Sequence, residues 1–276
     1  MRALPILLIL PLLSAVPAKA ETQTHTDHAH QNHIARQMSV TIEHPQKSLS
    51  AGYENQITFT LKDESGSPIT PDDLNVVHTK KLHILAINPA MDDYHHIHPE
   101  VTKTLGTYTF MFAPETTGPY RMFIEGQDHK TGTNMSARFQ VGSGVFTTTP
   151  LAARTTPRAV VGDYDFYLMT ENDKPAKANT PTTLSIRVMN AKSGEPAKNL
   201  APIMGAFAHL VGFTADGENM LHLHPTGQEP DKDSERGGPV LTFAFTPKKA
   251  GPTPLFLQVH INNETLTVPF TLNIAP

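Results

Sequence analysis

Short runs of alternating apolar and polar residues cover most of the chain from Met38 onward. The runs are rich in β-branched and aromatic residues, and glycine, proline or aspartate separates them. A period of two predicts β-strands with one buried face, and no longer segment shows the apolar period and the caps of a helix. Seven runs lie before residue 143, namely "MSVTIE", "NQITFTLKD", "KKLHILAIN", "YHHIH", "TYTFMFA", "YRMFIEG" and "MSARFQV". Seven short strands in about a hundred residues are typical of an antiparallel β-sandwich.

A second set of seven runs follows residue 160. These are "YDFYLM", "TTLSIRVM", "AFAHLVGF", "MLHLH", "VLTFAFT", "PLFLQVH" and "TLTVPFTLNI". Between the two sets, residues 143–160 carry threonine, proline and small side chains, which is typical of a linker. The sequence therefore predicts an all-β fold of two tandem antiparallel β-sandwiches, at residues 38–142 and 161–276.

Parts of the two predicted domains repeat one another. "LHILAINPAMDDYHHIHP" aligns without a gap with "AHLVGFTADGENMLHLHP", and further on "TGPYRMFIEG" aligns with "AGPTPLFLQV". The first alignment places three histidines of one domain on three of the other, His83, His96 and His98 on His209, His222 and His224. This coincidence is far more than composition predicts, so the sequence indicates a duplication.

Turn chemistry predicts how the histidines of the second domain are arranged. "DG" within "ADGE" lies between two apolar runs, which is the strongest short-range signal of a β-hairpin. A two-residue turn there places His209 opposite His224, and Val211 opposite His222. Residues opposite one another, and residues two apart on a strand, share a face. All three imidazoles should therefore project from one patch, and the repeat predicts the same for the first domain, whose turn "NPAMDD" is a weaker signal.

Three imidazoles on one face can bind a metal ion, which needs nitrogen ligands at about 2.0–2.1 Å. The sequence thus predicts one three-histidine site per domain, with copper favoured because the affinity of nitrogen sites for divalent ions peaks at copper. Zinc is the alternative, since three histidines and a water also suit zinc. Candidate fourth ligands are His260 and, on the same strand face, Gln258, with Glu125 and Gln127 at the equivalent first-domain positions. A solvated or pH-sensitive histidine cluster without metal is the competing interpretation.

Residues 1–20 have the features of a secretory signal peptide. Arg2 precedes the apolar stretch "LPILLILPLL", which is too short to span a membrane, and "AKA" matches a cleavage site. We expect cleavage after Ala20 and export, most simply to a bacterial periplasm, with no membrane span in the mature protein. Residues 21–37 are polar and include "HTDHAHQNH", so we expect a disordered, histidine-rich arm that could also capture metal.

The composition excludes several classes of function. The chain has no cysteine, so it has no disulfide, no thiolate ligand, no blue-copper site and no cysteine nucleophile. Its net charge is −4 and its basic residues are not clustered, which argues against nucleic acid as a partner. G-x-S-x-G, H-E-x-x-H and phosphate-binding glycine motifs do not occur, and we expect a binding protein rather than an enzyme.

The histidine motifs resemble those of exported YtkA-like and FixH-like β-sandwich domains from bacterial copper and heavy-metal contexts. Their pattern is H-L, a short loop and H-x-H-P, as in "LHILAINPAMDDYHHIHPE" and "GAFAHLVGFTADGENMLHLHP". The resemblance covers most of residues 38–276. It implies immunoglobulin-like or cupredoxin-like sandwiches and a role in periplasmic metal handling.

We therefore expect a periplasmic, copper-binding protein that acts as a chaperone or in sequestration, with a metal donor or acceptor protein as a further partner. The alternative is a structural, adhesion or assembly module of two immunoglobulin-like domains whose histidines are incidental.

Overall fold

The alternating runs form the strands of two all-β domains in the computed structural model of the protein, which describes residues 36–43 and 49–276. The predicted signal peptide and most of the predicted arm lie outside the described residues. The last two residues of that arm are a correction to the prediction, because Arg36–Gln37 form a strand that pairs with Met135 and Ser136. Across the described ranges, no helix has the length and apolar character needed to cross a membrane.

The first domain is a sandwich of two sheets that contains all seven predicted strands. Its strands are β1 (Arg36–Gln37), β2 (Ser39–Ile42), β3 (Asn55–Lys62), β4 (Leu82–Ile87), β5 (Tyr94–Ile97), β6 (Glu100–Val101), β7 (Thr107–Phe112), β8 (Tyr120–Gln127) and β9 (Asn134–Val141), with a 3-10 turn at Pro71–Asp73. One sheet has the order β1-β9-β8-β4-β5 and the other the order β2-β3-β7-β6. All neighbours are antiparallel except β1 and β9. Apolar side chains of both sheets, such as Phe59 and Ile124, fill the space between them.

The second domain repeats this architecture. Its strands are β10 (Arg158–Val161), β11 (Tyr164–Thr170), β12 (Thr182–Asn190), β13 (Leu200–Ala201), β14 (His209–Phe213), β15 (Met220–Leu223), β16 (Val240–Phe245), β17 (Gly251–Ile261) and β18 (Glu264–Ile274), with a 3-10 turn at Glu171–Asp173. One sheet has the order β10-β11-β12-β16. In the other, β17 pairs with β18 on one side and with β13 and β14 on the other, and β15 follows β14. Because β10 begins at Arg158, the second domain starts within the segment predicted as linker.

Strands β4 and β14 are buried on both faces, although a sandwich strand usually has one solvated face. All residues of "LHILAI" in β4 and of "HLVGF" in β14 are buried. One face of each strand packs into its own domain, as Ile84 and Leu210 do. The other face, which includes Leu85 and Val211, packs against the second copy of the repeat.

A third apolar cluster joins the two domains across these faces. Its buried members are Leu85, Ile87, Met91, Tyr94 and Phe123 from the first domain, Phe146 from the linker, and Val211, Phe213 and Phe256 from the second domain. The Tyr94 and Phe256 rings stack with centroids 4.8 Å apart. Each fully buried side chain of this size contributes about 1.5–3 kcal/mol, so the cluster is a substantial interface. Accordingly, both domains belong to a single compact unit.

Charged groups border this cluster at the turn between β14 and β15. Arg121 donates to a carboxylate oxygen of Glu218 at 2.6 Å, and Arg138 pairs with the same carboxylate. Arg121 also lies over the Phe146 ring, 4.4 Å from its centroid. The histidine motifs also line the interface, at the ends of β4 and β14 that lie away from this turn.

Candidate metal centre

The hairpins that carry the histidines have the predicted register. In the second domain Leu210 pairs with Leu223 and Val211 with His222, as the turn prediction requires. The loop is longer than the predicted two residues, because Thr214 and Asn219 make the last backbone pair and the Gly217 amide donates to the Thr214 carbonyl at 2.7 Å. The loop gains one residue from each strand, so the register of the hairpin is unchanged.

The first domain has the same register, which its turn sequence alone could not fix. Ile84 pairs with Ile97 and Leu85 with His96. His83, His96 and His98 consequently share one face of the hairpin. His83 Nδ1 lies 3.1 Å from His96 Nε2 and 3.2 Å from His98 Nε2. Three ring nitrogens therefore point toward a common position, as predicted.

The second domain brings together His209, His222 and His224. His209 Nδ1 lies 3.2 Å from His222 Nε2. The centroid separations are 4.7 Å for His209–His224, 4.8 Å for His222–His224 and 5.5 Å for His209–His222. The equivalent separations in the first domain are 4.9, 4.9 and 5.4 Å. The ring positions of the two groups are therefore similar, but the ligand atoms of the first group all lie within 4.8 Å of one another, whereas in the second half such a set is formed by His209 and His222 with His96.

The two groups face each other across the domain interface rather than lying in separate sites. The His96 ring centroid is 5.2 Å from that of His222 and 5.5 Å from that of His209, and His83 lies 5.7 Å from His222. Ligand atoms of His96, His209 and His222 also lie within 4.8 Å of one another. His96 thus belongs to the group of its own domain and also contacts the group of the other, and the six rings form one cluster.

Backbone carbonyls orient the buried histidine of each group. His83 Nε2 donates to the Val77 carbonyl at 3.1 Å, and His209 Nε2 donates to the Ile203 carbonyl at 3.0 Å. A neutral imidazole carries one hydrogen, so donation from Nε2 leaves Nδ1 with a free lone pair. In both domains that lone pair points into the group.

Each central histidine is oriented by a residue of the other domain. His96 Nδ1 donates to the Gln258 amide oxygen at 3.0 Å, and His222 Nδ1 donates to a carboxylate oxygen of Glu125 at 3.1 Å. Gln258 and Glu125 occupy equivalent positions of the repeat, on β17 and β8. Hydrogen bonds of this kind hold metal-binding histidines in most proteins and raise their basicity.

Burial keeps most of these rings neutral. His83 is 5% exposed and His209 is fully buried. Burial lowers the pKa of His83 and of His98 to about 4, and lowers the pKa of His209 to about 3. Burial, followed by the charge of neighbouring histidines, holds the pKa of His96 and His224 further below the usual range. Neutral imidazole is the form that binds a metal ion.

His78 also joins the cluster, although it lies outside the repeated histidine motifs. Its ring stacks on His224 with centroids 3.6 Å apart and lies edge-on to His209 at 6.0 Å. Its backbone has a positive φ of 47°, and its counterpart in the repeat, Met204, has a φ of 50°. A Cβ on Gly205 would lie 3.4 Å from the His78 Cα atom, so the two loops meet at the interface.

His260 is the predicted ligand that the structure does not bring to either group. Its Nδ1 atom lies 3.1 Å from the Thr265 hydroxyl, and in the sheet it pairs with Ala201. Gln258, two residues earlier, is the residue opposite His209. Two residues along a strand are about 6.6 Å, which places His260 on the correct face but too far along the strand.

His95, which precedes His96 in the chain, is half-buried away from the cluster. Its Nε2 atom pairs with the Asp93 carboxylate at 2.7 Å, and its ring packs edge-on against Phe112 with centroids 5.0 Å apart. Met122 and Met135, whose thioethers are a second type of potential metal ligand, lie in the core of the first domain. Both sets of side chains have structural partners away from the cluster.

The sequence did contain a signal for the interface. "LHILAI" and "HLVGF" have no polar residue except the histidine, whereas a strand with one solvated face alternates. A motif that is apolar on both faces and that occurs twice predicts a second partner for each copy. The contacts of Glu125 and Gln258 had no such signal, because they depend on how the domains dock.

Comparison with known proteins identifies the family. A model with the description "Domain of unknown function (DUF8832)" matches the chain twice, at residues 33–143 and 159–276. The chain belongs to the DUF8832 family. The two DUF8832 matches coincide with the two structural domains, which confirms the repeat inferred from the histidine motifs. The resemblance to YtkA-like and FixH-like domains stays a prediction.

No curated protein matches the chain. Solved structures similar to it include MtrC from Shewanella baltica OS185, at 8% identity over 84% of this chain and 68% of that chain, with a TM-score of 0.25. The D00-D0 domain of intimin has 11% identity over 87% and 100% of the two chains, with a TM-score of 0.23. Domains 5-6 of the S-layer protein SbsC have 13% identity over 86% and 96%, with a TM-score of 0.24. Likenesses this distant carry no argument about function.

Proposed function

We propose that this protein binds a transition-metal ion through the histidines at its domain interface, with copper favoured and zinc as the alternative. The proposal keeps the three-histidine groups of the sequence prediction and changes their setting. The groups form one cluster, so the two domains act together.

The observation that carries the proposal is a pair of facing lone pairs. The Ile203 carbonyl and the Glu125 carboxylate can only accept hydrogen bonds, so they fix hydrogens on His209 Nε2 and His222 Nδ1. His209 Nδ1 and His222 Nε2 then have no hydrogen between them, yet they lie 3.2 Å apart. Two lone pairs at this distance repel unless a cation lies beside them.

The distances also suit a tetrahedral ion. Ligands at about 2.0–2.1 Å in tetrahedral geometry are about 3.3 Å from each other. The nitrogen pairs of His83 with His96, and of His83 with His98, are 3.1 and 3.2 Å apart. In addition, His224 Nε2 is buried and has no hydrogen-bond partner in the part of the chain that the structure describes, and a metal ion would supply one.

The burial of the cluster favours sequestration over rapid transfer. His209 is fully buried and the His222 side chain is 7% exposed, so release of an ion requires the domain interface to open. Slow release suits a protein that holds surplus metal. The export signal predicted for residues 1–20 and the histidine-rich arm place this role in a periplasm, where the arm would capture ions for the interface.

The test is metal binding by the mature protein without an affinity tag. Titration calorimetry and elemental analysis with Cu(II), Cu(I) and Zn(II) should show uptake with a Kd below micromolar. We expect the double variant His83→Ala/His209→Ala to lose this uptake. His260→Ala is the matched control, because His260 was a ligand candidate from sequence that the structure places elsewhere, and it should bind as the parent does. Unfolding of each metal-free variant verifies that it is folded.

A second function is favoured by the pair that Glu125 makes with His222, because a proton on that ring would also separate the facing lone pairs. The cluster would then be a polar contact that fixes the domains in a structural or assembly module. Absence of uptake for all three ions, with folded protein, would refute metal binding and support this reading.

A further inference from the structure

We propose that the six histidines form a single coupled centre that takes one divalent cation tightly, and that Glu125 directs this ion to the half that contains His209 and His222, where His96 completes the set of close ligand atoms. The inference rests on the proposed metal-binding function. It adds the stoichiometry and the residue that makes the two halves unequal.

The first step is the difference between two equivalent residues. In the repeat, Phe123 aligns with Phe256, so Glu125 is the counterpart of Gln258. Both accept a hydrogen bond from the central histidine of the opposite domain, at 3.1 and 3.0 Å. Their geometry is the same and their charge is not. A carboxylate makes the histidine a stronger ligand and adds a negative charge near the ion, whereas an amide does neither to the same degree.

The second step concerns the nitrogen atoms that lack partners. In the first domain, the His98 Nε2 atom lies 3.2 Å from His83 Nδ1. In the second domain, the corresponding His224 Nε2 atom is buried and has no partner among the described residues. An ion bound at His209 and His222, whose ring centroids lie 4.7 and 4.8 Å from that of His224, would give this buried atom a partner that the described residues do not supply. This observation is independent of Glu125 and favours the same half.

The third step is repulsion between two ions. Ring centroids of the two groups approach to 5.2 Å, between His96 and His222. Two ions held by the two groups would thus be on the order of 6 Å apart, where a pair of unit charges weakens binding about a hundredfold at an effective dielectric constant of about 20. For two divalent ions the repulsion energy is four times larger, and so is the logarithm of the factor by which binding weakens. Even with strong screening, we expect a second divalent ion to bind at least about a thousandfold more weakly than the first.

The experiment uses Zn(II) alone as the probe, with the mature protein and calorimetry supported by elemental analysis. We expect one tight equivalent per chain. His224→Ala should weaken it at least tenfold more than His98→Ala does. In the exchanged background Glu125→Gln/Gln258→Glu, which keeps composition and net charge, the difference between the two variants should shrink at least tenfold, because the exchange moves the carboxylate and leaves His224 unchanged.

Each outcome decides a separate claim. Two equivalents of equal affinity would overturn the coupling of the two groups. One equivalent with equal sensitivity to His98→Ala and His224→Ala, or a difference between them that the exchange does not reduce, would overturn the role of Glu125. If folded parent protein binds neither Zn(II) nor copper, the proposed function itself fails. Urea unfolding of the metal-free variants identifies any that lose binding because they do not fold.

Discussion

Acid should destabilise the metal-free protein between pH 6.5 and pH 4.5, before most carboxylates titrate. The two most buried histidines of the groups, His83 and His209, have folded pKa values of about 4 and about 3 because burial disfavours the charged ring. The unfolded chain binds their protons near pH 6.5. Since the folded pKa values are lower, the stability present above pH 6.5 is lost as the pH falls toward them.

The magnitude follows from the size of these shifts. Each group changes the free energy of unfolding by about 1.4 kcal/mol per pH unit between its two pKa values. Over two pH units, His83 and His209 together lower the free energy of unfolding by about 5 kcal/mol. Solvent screening does not reduce either contribution much, because the two residues are 5% and 0% exposed. A loss of this size is comparable with the whole stability of many domains, which is about 5–15 kcal/mol.

The assay is urea unfolding followed by circular dichroism at pH 7.0 and pH 4.5, with a chelator present to keep the protein metal-free. The unfolding midpoint should fall steeply with acid in the parent protein. In His83→Gln/His209→Gln the fall should be much smaller, while His129→Gln, at an exposed histidine, controls for the substitution itself. A parent protein that loses less than about 1 kcal/mol between these pH values would refute the reasoning that the rings are buried and neutral.

Two substitutions test the interface that supports the centre. Phe256→Ala removes a side chain that is 3% exposed in the interdomain cluster, and we expect it to lower the free energy of unfolding in urea by about 3–5 kcal/mol. Val240→Ala, at a position that is 46% exposed, should change it by less than about 0.5 kcal/mol, and a similar cost for both would contradict the interface. Gly217→Ala should destabilise more than Gly52→Ala by thermal unfolding. Both glycines have a positive φ, but only at Gly217 would a Cβ collide, 2.7 Å from a Phe146 ring carbon. Equal losses would indicate that backbone strain alone matters.

The strands were predictable because a β-sandwich imposes a local pattern on its sequence. Most of the strands alternate between a face that meets the core and a face that meets solvent, whereas β4 and β14 are short apolar runs bounded by turn residues. These two signals identified fourteen of the described strands. The short strands β1, β6 and β13, of two residues each, carry too few positions for a period to be read. Strand β10 was missed because its sequence continues a stretch rich in threonine and proline.

The geometry within each histidine group was also local, and the sequence predicted it. A turn signal fixes the register of a hairpin, and the register fixes which of His209, His222 and His224 share a face. Interactions between domains are not local. The roles of Glu125 and His78 depend on docking of the two sandwiches, and His260 was misassigned because the alternation of a strand indicates the face but not the distance along it.

The arrangement of the centre follows from docking two copies of one surface. In an isologous contact, when residue i of one copy meets residue j of the other, j of the first also meets i of the second. The pairs His96–Gln258 and His222–Glu125 satisfy this rule, since 96 corresponds to 222 and 125 to 258. Docking of this kind gives every group near the axis a counterpart beside it, so a surface that carries three histidines becomes a buried cluster of six without further sequence change. It also doubles any charge near the axis. Glutamine instead of glutamate at position 258 avoids a second carboxylate at the interface, and this single difference is the one by which we propose that the two halves of the centre are unequal.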